Sequence, residues 1–135
     1  MPYMKWEKEY SVGILKIDEQ HMKLFEYIND LHDAMKLGKS KEILSGLIDK
    51  LVNYTQAHFT LEESYLTKHQ YPEFIQHQKE HKSFIDKVNT FKTNYALTSG
   101  LLSIDIMQFL KDWLIKHVMG TDKKYAGFLN EKGLR

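Results

Sequence analysis

Seven residues of this chain combine metal-ligand side chains with helical spacing: His21, His58, Glu62, His77, His81, His117 and Asp122. His58 precedes Glu62 by four residues, and His77 precedes His81 by the same interval. Residues at that spacing lie on one face of a helix, so both members of a pair can reach a common centre. Imidazole nitrogens and carboxylate oxygens bind transition metals. The set is large enough to hold two metal ions between helices.

The helices that must position these ligands are indicated by apolar residues recurring every three or four positions. The recurrence predicts four helices, at about residues 18–37, 41–68, 72–95 and 103–119. Asp18 is suited to cap the first helix, Pro72 to occupy the first turn of the third, and Gly120 to end the fourth. An N-terminal arm over residues 1–17 and a short helical tail over 120–135 complete the chain. Because no alternating Val-, Ile- or Thr-rich run predicts a strand, the expected class is all-α.

Short connections make sequential helices antiparallel, so we expect an up-down-up-down four-helix bundle. His21 falls early in the first helix and His117 late in the fourth. The two pairs at four-residue spacing fall late in the second helix and early in the third. Antiparallel packing would bring all four segments to the same end of the bundle, which favours a metal site over unrelated surface histidines and paired carboxylates.

Asp122 differs from the other paired ligands because it follows His117 by five residues instead of four. We expect the chain to turn after Gly120 so that Asp122 points back toward the site. A solvated Asp122 in a terminal loop is the alternative at this point. His32 and His69 are too far from the common centre and are predicted to have structural or surface roles.

The composition indicates a single domain over residues 1–135, since 42% hydrophobic content is enough for a core. A net charge of +1 without a basic block argues against nucleic acid as a partner. The chain has no cysteine, so any metal must take nitrogen and oxygen ligands. The most apolar region, 101–119, is interrupted by Asp105, Lys111 and Asp112, which indicates a core helix and not a membrane span. We expect a cytoplasmic monomer without a signal segment.

Several runs beyond the ligands carry a family likeness: Trp6, Val12–Ile14, Ile17–His21, His58–Glu63, Tyr71–Pro72, His77–His81, Trp113–His117 and Asp122–Tyr125. In these runs the chain resembles the hemerythrins, and in particular the single-domain bacteriohemerythrins. The resemblance covers almost the whole chain. It differs at Leu66, where many bacterial members carry methionine, a change that concerns packing near the site and no ligand.

The resemblance implies two non-haem iron ions, bridged by Glu62, Asp122 and an oxo or hydroxo group. It assigns three histidines to one iron, namely His77, His81 and His117, and two to the other, namely His21 and His58. The second iron would be one ligand short, and the resemblance implies that O2 binds there.

The ligand chemistry agrees with iron, since imidazole and carboxylate suit iron or manganese, whereas zinc, also possible, prefers four ligands. Five neutral imidazoles make the centre less able to cleave O2 than a carboxylate-rich site would be. Five apolar residues are expected to line a dry O2 pocket: Phe25, Phe59, Trp113, Leu114 and Val118.

The predicted function is reversible O2 binding for storage, delivery or scavenging, and not catalysis. Two alternatives stay open from the sequence. One is a di-iron enzyme acting on peroxide, nitric oxide or ferrous iron. The other is an O2 or redox sensor.

Overall fold

The bundle is described by a computed structural model over residues 3–97 and 104–135. Within these ranges the helices are α1 (Leu15–Lys36), α2 (Lys41–Lys68), α3 (Phe74–Leu97), α4 (Ile104–Lys116), a π-helix (His117–Asp122) and α5 (Lys123–Glu131). A 3-10 turn at Lys8–Tyr10 precedes them. Helix α1 packs against α2 and α2 against α3, while α4 contacts both α1 and α3 and so closes the bundle. The predicted all-α four-helix bundle is confirmed. The predicted start of the fourth helix, at residue 103, lies outside the described residues.

The first helix begins at Leu15, so Asp18 lies inside its first turn and the prediction that Asp18 caps the helix is wrong. The buried Asp18 carboxylate instead accepts hydrogen bonds from the Val12 amide (2.9 Å) and the Ser11 hydroxyl (2.5 Å). A short acidic side chain can accept hydrogen bonds either from the amides of a helix start or from a neighbouring loop. Here it fastens the end of the N-terminal arm to α1.

The third helix begins at Phe74, and Pro72 lies in the turn before it instead of in its first turn. The Phe74 amide donates to the Tyr71 carbonyl over 3.2 Å and closes this turn. Gln70, with φ of 55°, redirects the chain out of α2. Proline suits both a turn and the first positions of a helix, so the residue type alone placed this boundary two residues early.

The fourth helix does not end at Gly120, contrary to the prediction. Helix α4 passes directly into the π-helix and then into α5, so the helical tail is continuous with the bundle. Gly120 is exposed and is not among the described glycines with positive φ, so it does not adopt the left-handed conformation of a helix stop.

Two apolar clusters divide the core, and the predicted ligands lie between them. The smaller cluster is formed by seven residues: Val12, Ile14, Ile17, Leu66, Tyr71, Tyr125 and Leu129. The larger cluster fills the rest of the bundle and contains Phe59 and Val118. Glu62 therefore stands between Phe59 and Leu66 along α2, and Asp122 stands between Val118 and Tyr125. The polar side chains form a layer across the bundle.

Two of the recurring apolar residues that predicted the helices, and that were expected to be buried, are exposed: Met22 by 38% and Ile75 by 60%. Met22 follows His21 directly, and Ile75 precedes His77 by two residues. A helical residue is rotated by about 100° from its neighbour and about 200° from the next. Met22 and Ile75 are therefore rotated away from the inward-pointing ligands, in each case toward solvent.

The N-terminal arm crosses the bundle and is held by paired hydrogen bonds. The Met4 amide donates to Asn29 Oδ1 over 2.7 Å, and Asn29 Nδ2 donates to the Met4 carbonyl over 2.8 Å. The rings of Trp6 and Tyr10 pack on Phe25 at 5.5 and 5.3 Å. The arm thereby covers the α1 side of the polar layer. None of the helices in the described ranges is both long and apolar enough to cross a membrane.

Candidate metal centre

The seven predicted ligands meet in the polar layer, and none of them is more than 3% exposed. Helix α1 supplies one of them, α2 and α3 supply two each, and the π-helix supplies the remaining two. The histidines fall into two sets, which we name the two-histidine group (His21 and His58) and the three-histidine group (His77, His81 and His117). Potential ligand atoms of each group lie within 4.8 Å of one another.

Glu62 lies between the two histidine groups. Its Oε1 faces Nε2 of His58 and lies 3.5 Å from Nε2 of His21. Its Oε2 lies 3.3 Å from Nε2 of His77 and 3.9 Å from that of His81. One carboxylate oxygen therefore faces each group.

The two carboxylate oxygens of Asp122 also face different histidine groups. Its Oδ2 lies 3.1 Å from Nε2 of His21, in the two-histidine group. Its Oδ1 lies 3.2 Å from Nε2 of His77 and 3.0 Å from that of His117, in the three-histidine group. A carboxylate with one oxygen directed to each of two ligand sets has the arrangement of a bridge between two cations.

Buried polar atoms in the layer lack hydrogen-bond partners among the described residues. They include Nε2 of His21, Oε1 of Glu62 and both carboxylate oxygens of Asp122. Each such atom costs about 1–3 kcal/mol when left unpaired. In addition, Nε2 of His81 and Nε2 of His117 face each other at 3.1 Å. Cations inside the layer would satisfy all of these atoms, so the residues fit a pair of bound metal ions.

The electrostatics of the layer favour positive charge at its centre. Burial opposes protonation of His21 and His77, but the carboxylates of Asp122 and Glu62 outweigh it and raise both pKa values to about 9. Burial lowers the pKa of His81 to about 4, so that its imidazole is neutral at pH 7. Burial alone would raise the pKa of Glu62, but the facing histidines hold it well below its usual value. Protons and metal cations therefore compete for the same nitrogens.

The π-helix explains how Asp122 reaches the layer. Its i→i+5 hydrogen bonding places residues five apart close together on one face. His117 and Asp122 have that spacing and come within 3.0 Å. The hypothesis that the chain turns back after Gly120 is therefore wrong, although Asp122 does reach the common centre.

His32 and His69 lie outside the layer. The His32 ring stacks on Tyr3 of the arm, with ring centres 4.1 Å apart. His69 is the C-terminal cap residue of α2. Neither residue contributes to the two groups.

Several residues around the layer were given no role by the sequence reasoning. Gln20, Glu63 and Glu80 contact the outer Nδ1 atoms of ligand histidines. Each directly adjoins a ligand in the sequence, which is the signal that could have identified them. Tyr125 is fully buried, with its ring 5.4 Å from that of His77, and burial raises its pKa well above the usual value. Its approach to His77 was not predictable, because it requires α4 to continue through the π-helix into α5.

The predicted O2 pocket is apolar and mostly buried. Phe25, Leu114 and Val118 are at most 4% exposed, as is Phe59, whereas Trp113 is half-buried. The Phe59 ring stacks on His81 with centres 3.7 Å apart and an angle of 1°. The Trp113 ring stacks on His117 at 4.4 Å and 15°. Two of the five residues therefore contact the three-histidine group directly.

Comparison with known proteins identifies close similarities over most of the chain. The family model described as "Hemerythrin HHE cation binding domain" matches residues 12–129. A bacteriohemerythrin of Stenotrophomonas maltophilia is 30% identical over 126 residues, covering 93% of this chain and 81% of that protein. A bacteriohemerythrin of Methylococcus capsulatus is 30% identical over 96% of this chain and 99% of its own length. A crystal structure of wild-type hemerythrin is similar with a TM-score of 0.87 at 27% identity, covering 94% of this chain and 98% of that chain.

Proposed function

The chain belongs to the hemerythrin family, and from that premise we propose that it binds O2 reversibly at a centre of two non-haem iron ions. The observation that carries the proposal is that Glu62 and Asp122 each direct one carboxylate oxygen toward the two-histidine group and the other toward the three-histidine group. Two carboxylates in this arrangement would bridge two ions and set them close together, with a solvent-derived oxo or hydroxo group as a third bridge.

The two ions would have unequal numbers of protein ligands. The three-histidine group with both bridges provides five ligands, and the two-histidine group with the same bridges provides four. The solvent-derived bridge raises these numbers to six and five, and since iron commonly takes six ligands, the ion beside His21 and His58 would keep one open position for O2. When bound, a pair of ferrous ions supplies both that position and the electrons that O2 binding requires.

The side chains around the ions favour binding over further reaction. Five neutral imidazoles would make bound ions weaker electron donors than a carboxylate-rich set, which would favour binding of O2 over its cleavage. The buried side chains of Phe25, Leu114 and Val118 exclude water from the layer and slow the proton entry that would release reduced oxygen. We therefore propose an oxygen-binding protein for storage, delivery or scavenging, and not an enzyme.

We also propose that the protein acts as a monomer in the cytoplasm, where cellular reductants maintain ferrous iron. The exposed large apolar side chains of the described residues are spread over several elements, with Leu15 and Met22 on α1, Ile43 on α2 and Ile75 on α3. They do not form an extended apolar seam along one helix. Sedimentation of the iron-loaded protein at two concentrations tests this point.

The central experiment is anaerobic loading with ferrous iron followed by exposure to air. A new visible absorption band should appear, disappear under vacuum and return on re-exposure over several cycles. Permanent conversion to the ferric form on first exposure would overturn reversible binding. Added hydrogen peroxide should be consumed no faster than by an equal amount of free iron.

Two histidine variants on the same helix provide a matched comparison. His21→Ala removes a buried member of the two-histidine group, whereas His32→Ala removes a partly exposed residue outside the layer. The first variant should lose the reversible absorption change, and the second should retain it. Equal behaviour of the two variants would contradict the assignment of the open position.

A further inference from the structure

Two imidazole ligands are contacted, on the side away from the layer, by a side chain of the preceding helix. Nδ1 of His58 on α2 lies 2.6 Å from Oε1 of Gln20 on α1. Nδ1 of His81 on α3 lies 2.9 Å from Oε2 of Glu63 on α2. These oxygens can only accept a hydrogen bond, so each Nδ1 carries the proton and donates it.

A third contact of this kind joins α3 to the π-helix. Oε1 of Glu80 lies 3.4 Å from Nδ1 of His117. The same oxygen accepts a hydrogen bond from the Thr121 hydroxyl over 2.8 Å, which orients the carboxylate toward the π-helix. Nδ1 of His21 and Nδ1 of His77, by contrast, have no hydrogen-bond partner in the described part of the chain.

The three contacts follow one rule of helix geometry. Each supporting residue adjoins a ligand of its own helix: Gln20 next to His21, Glu63 next to Glu62, and Glu80 next to His81. Adjacent residues on a helix are rotated by about 100°. When a ligand points into the layer, one of its two sequence neighbours therefore faces the following helix. Helix α1 supports α2, α2 supports α3, and α3 supports the π-helix.

These contacts differ in charge between the two histidine groups. A proton on Nδ1 leaves the lone pair of Nε2 directed into the layer, as metal binding requires. A carboxylate acceptor also makes the imidazole a stronger electron donor than a neutral amide does. His81 and His117 have carboxylate acceptors, whereas His58 has only the Gln20 amide.

We propose that Gln20, Glu63 and Glu80 are positioning residues that make the three-histidine group the tighter of two unequal metal positions. The proposal rests on the metal centre put forward above, but it does not depend on O2 binding. Each residue acts through the imidazole that it contacts and not by touching the metal or O2.

The carboxylates of Glu63 and Glu80 reach solvent, where they stay charged, and they are not part of the apolar core. The side chains of Glu63 and Glu80 are 23% and 32% exposed, and each borders an open groove on the surface. Replacement by glutamine should therefore remove charge with little effect on folding.

Stepwise binding of Co2+ to metal-free protein under anaerobic conditions tests the proposal. The wild type should bind two ions with different affinities. Glu63→Gln and Glu80→Gln should each weaken the tighter step by about tenfold and leave the second step unchanged. Gln20→Glu should act in the opposite sense and strengthen the weaker step by about tenfold.

Two exposed positions provide controls for the change of charge itself. Glu26→Gln on α1 removes a negative charge, and Gln108→Glu on α4 adds one, at sites without contact to the ligands. Neither should alter either binding step. Two bound ions with affinities that the three variants leave unchanged would overturn this inference alone. Failure of the wild type to bind cobalt would overturn the metal centre itself.

The tautomer of each ligand provides a readout that general destabilisation would not produce. In zinc-loaded protein labelled with 15N, long-range NMR correlations should show a proton on Nδ1 of His58, His81 and His117. At one equivalent of zinc, the resonances of His81 and His117 should shift before those of His58. Glu80→Gln should move the Nδ1 proton of His117 to lower frequency, because its hydrogen bond is weaker. A proton on Nε2 of these residues, or the reverse order of loading, would contradict the proposal.

Discussion

Glu62 and Asp122 each direct two oxygens to different partners, and the centre depends on this division more than on any single distance. A carboxylate that faced only one histidine group could balance charge there but could not join two ions. The five imidazoles, by comparison, each belong to one group. The two acids are therefore the residues at which substitution should affect both metal positions together.

We expect Glu62→Gln to lower the iron-to-protein ratio from two to below one. The amide keeps the volume of the side chain but loses the charge that faces both groups, and a buried centre of positive ions needs that charge. Elemental analysis of protein loaded anaerobically and desalted measures the ratio. Glu26→Gln, at a side chain 64% exposed, is the control and should retain two ions. A ratio of two in Glu62→Gln would contradict the bridging role.

At the residue scale, the sequence identified which side chains converge but not how they are supported. The ligands were predictable because His58/Glu62 and His77/His81 have helical spacing within apolar faces. The contacts of Gln20, Glu63 and Glu80 depend on the rotation of each helix relative to the next. Spacing within a single helix does not contain that information.

At the scale of elements, the π-helix His117–Asp122 links the bundle to its tail and supplies the last two ligands. The sequence indicated a helix stop at Gly120, because glycine after a helical run is the usual signal for one. Glycine is equally compatible with a continued helix that is exposed on one side. Tyr125 and Leu129 are buried in the smaller apolar cluster. Because this burial requires α5 to continue along the bundle, it favours the continued helix over the stop.

Alanine substitution at two glycines should distinguish a continued helix from a stop. At Gly120, Ala should stabilise the protein by about 0.5–1 kcal/mol, because alanine is the better helix former and nothing lies within 4 Å of its added carbon. At Gly38, with φ of 66° and equally open surroundings, Ala should destabilise it by about 1–2 kcal/mol. Urea unfolding of both variants measures the difference. Destabilisation by Gly120→Ala would show that the chain turns there.

At the scale of the whole molecule, the polar layer makes stability depend on pH. Rising pH should destabilise the metal-free protein but favour the metal-bound protein. Burial disfavours charged His21, His77 and His117, but the carboxylates prevail and raise the three pKa values to about 9, 9 and 10. A histidine whose pKa is higher in the folded than in the unfolded protein stabilises the folded state. This contribution is complete below the unfolded pKa of about 6.5. That contribution is lost as the pH rises through 9 to 10. Bound metal requires the same imidazoles to be unprotonated.

The melting temperature of metal-free protein should therefore fall by several degrees between pH 6.5 and 9. Zinc-loaded protein should keep or raise its melting temperature over the same interval and should lose metal as the pH falls below 6. Calorimetry of both forms, with metal content measured at each pH, checks this prediction. A parallel decline in the two forms would show that other groups determine the pH dependence.

The overall bundle was predictable because a 3.6-residue apolar period, short connections and the absence of strand patterns all indicate the same architecture. The arm was predictable only as a segment without a regular period. Asn29 binds Met4 of the arm, from which it is distant in the sequence. Asp18 lies inside α1, whereas the Val12 amide that it binds lies before the helix. Such contacts follow from the assembled fold and not from local propensity.

The smaller apolar cluster has a dynamic consequence for how ions enter the protein. Among the described residues it is formed by seven buried side chains, and both the end of the arm and helix α5 depend on it. Local opening of that end costs less than global unfolding and would expose the inner ligands to solvent. Amide hydrogens of α5 should accordingly exchange with deuterium sooner than those in the middle of α2, and captured ions should slow that exchange. Uptake and release of metal would then be timed by transient fraying of the tail and not by unfolding of the bundle.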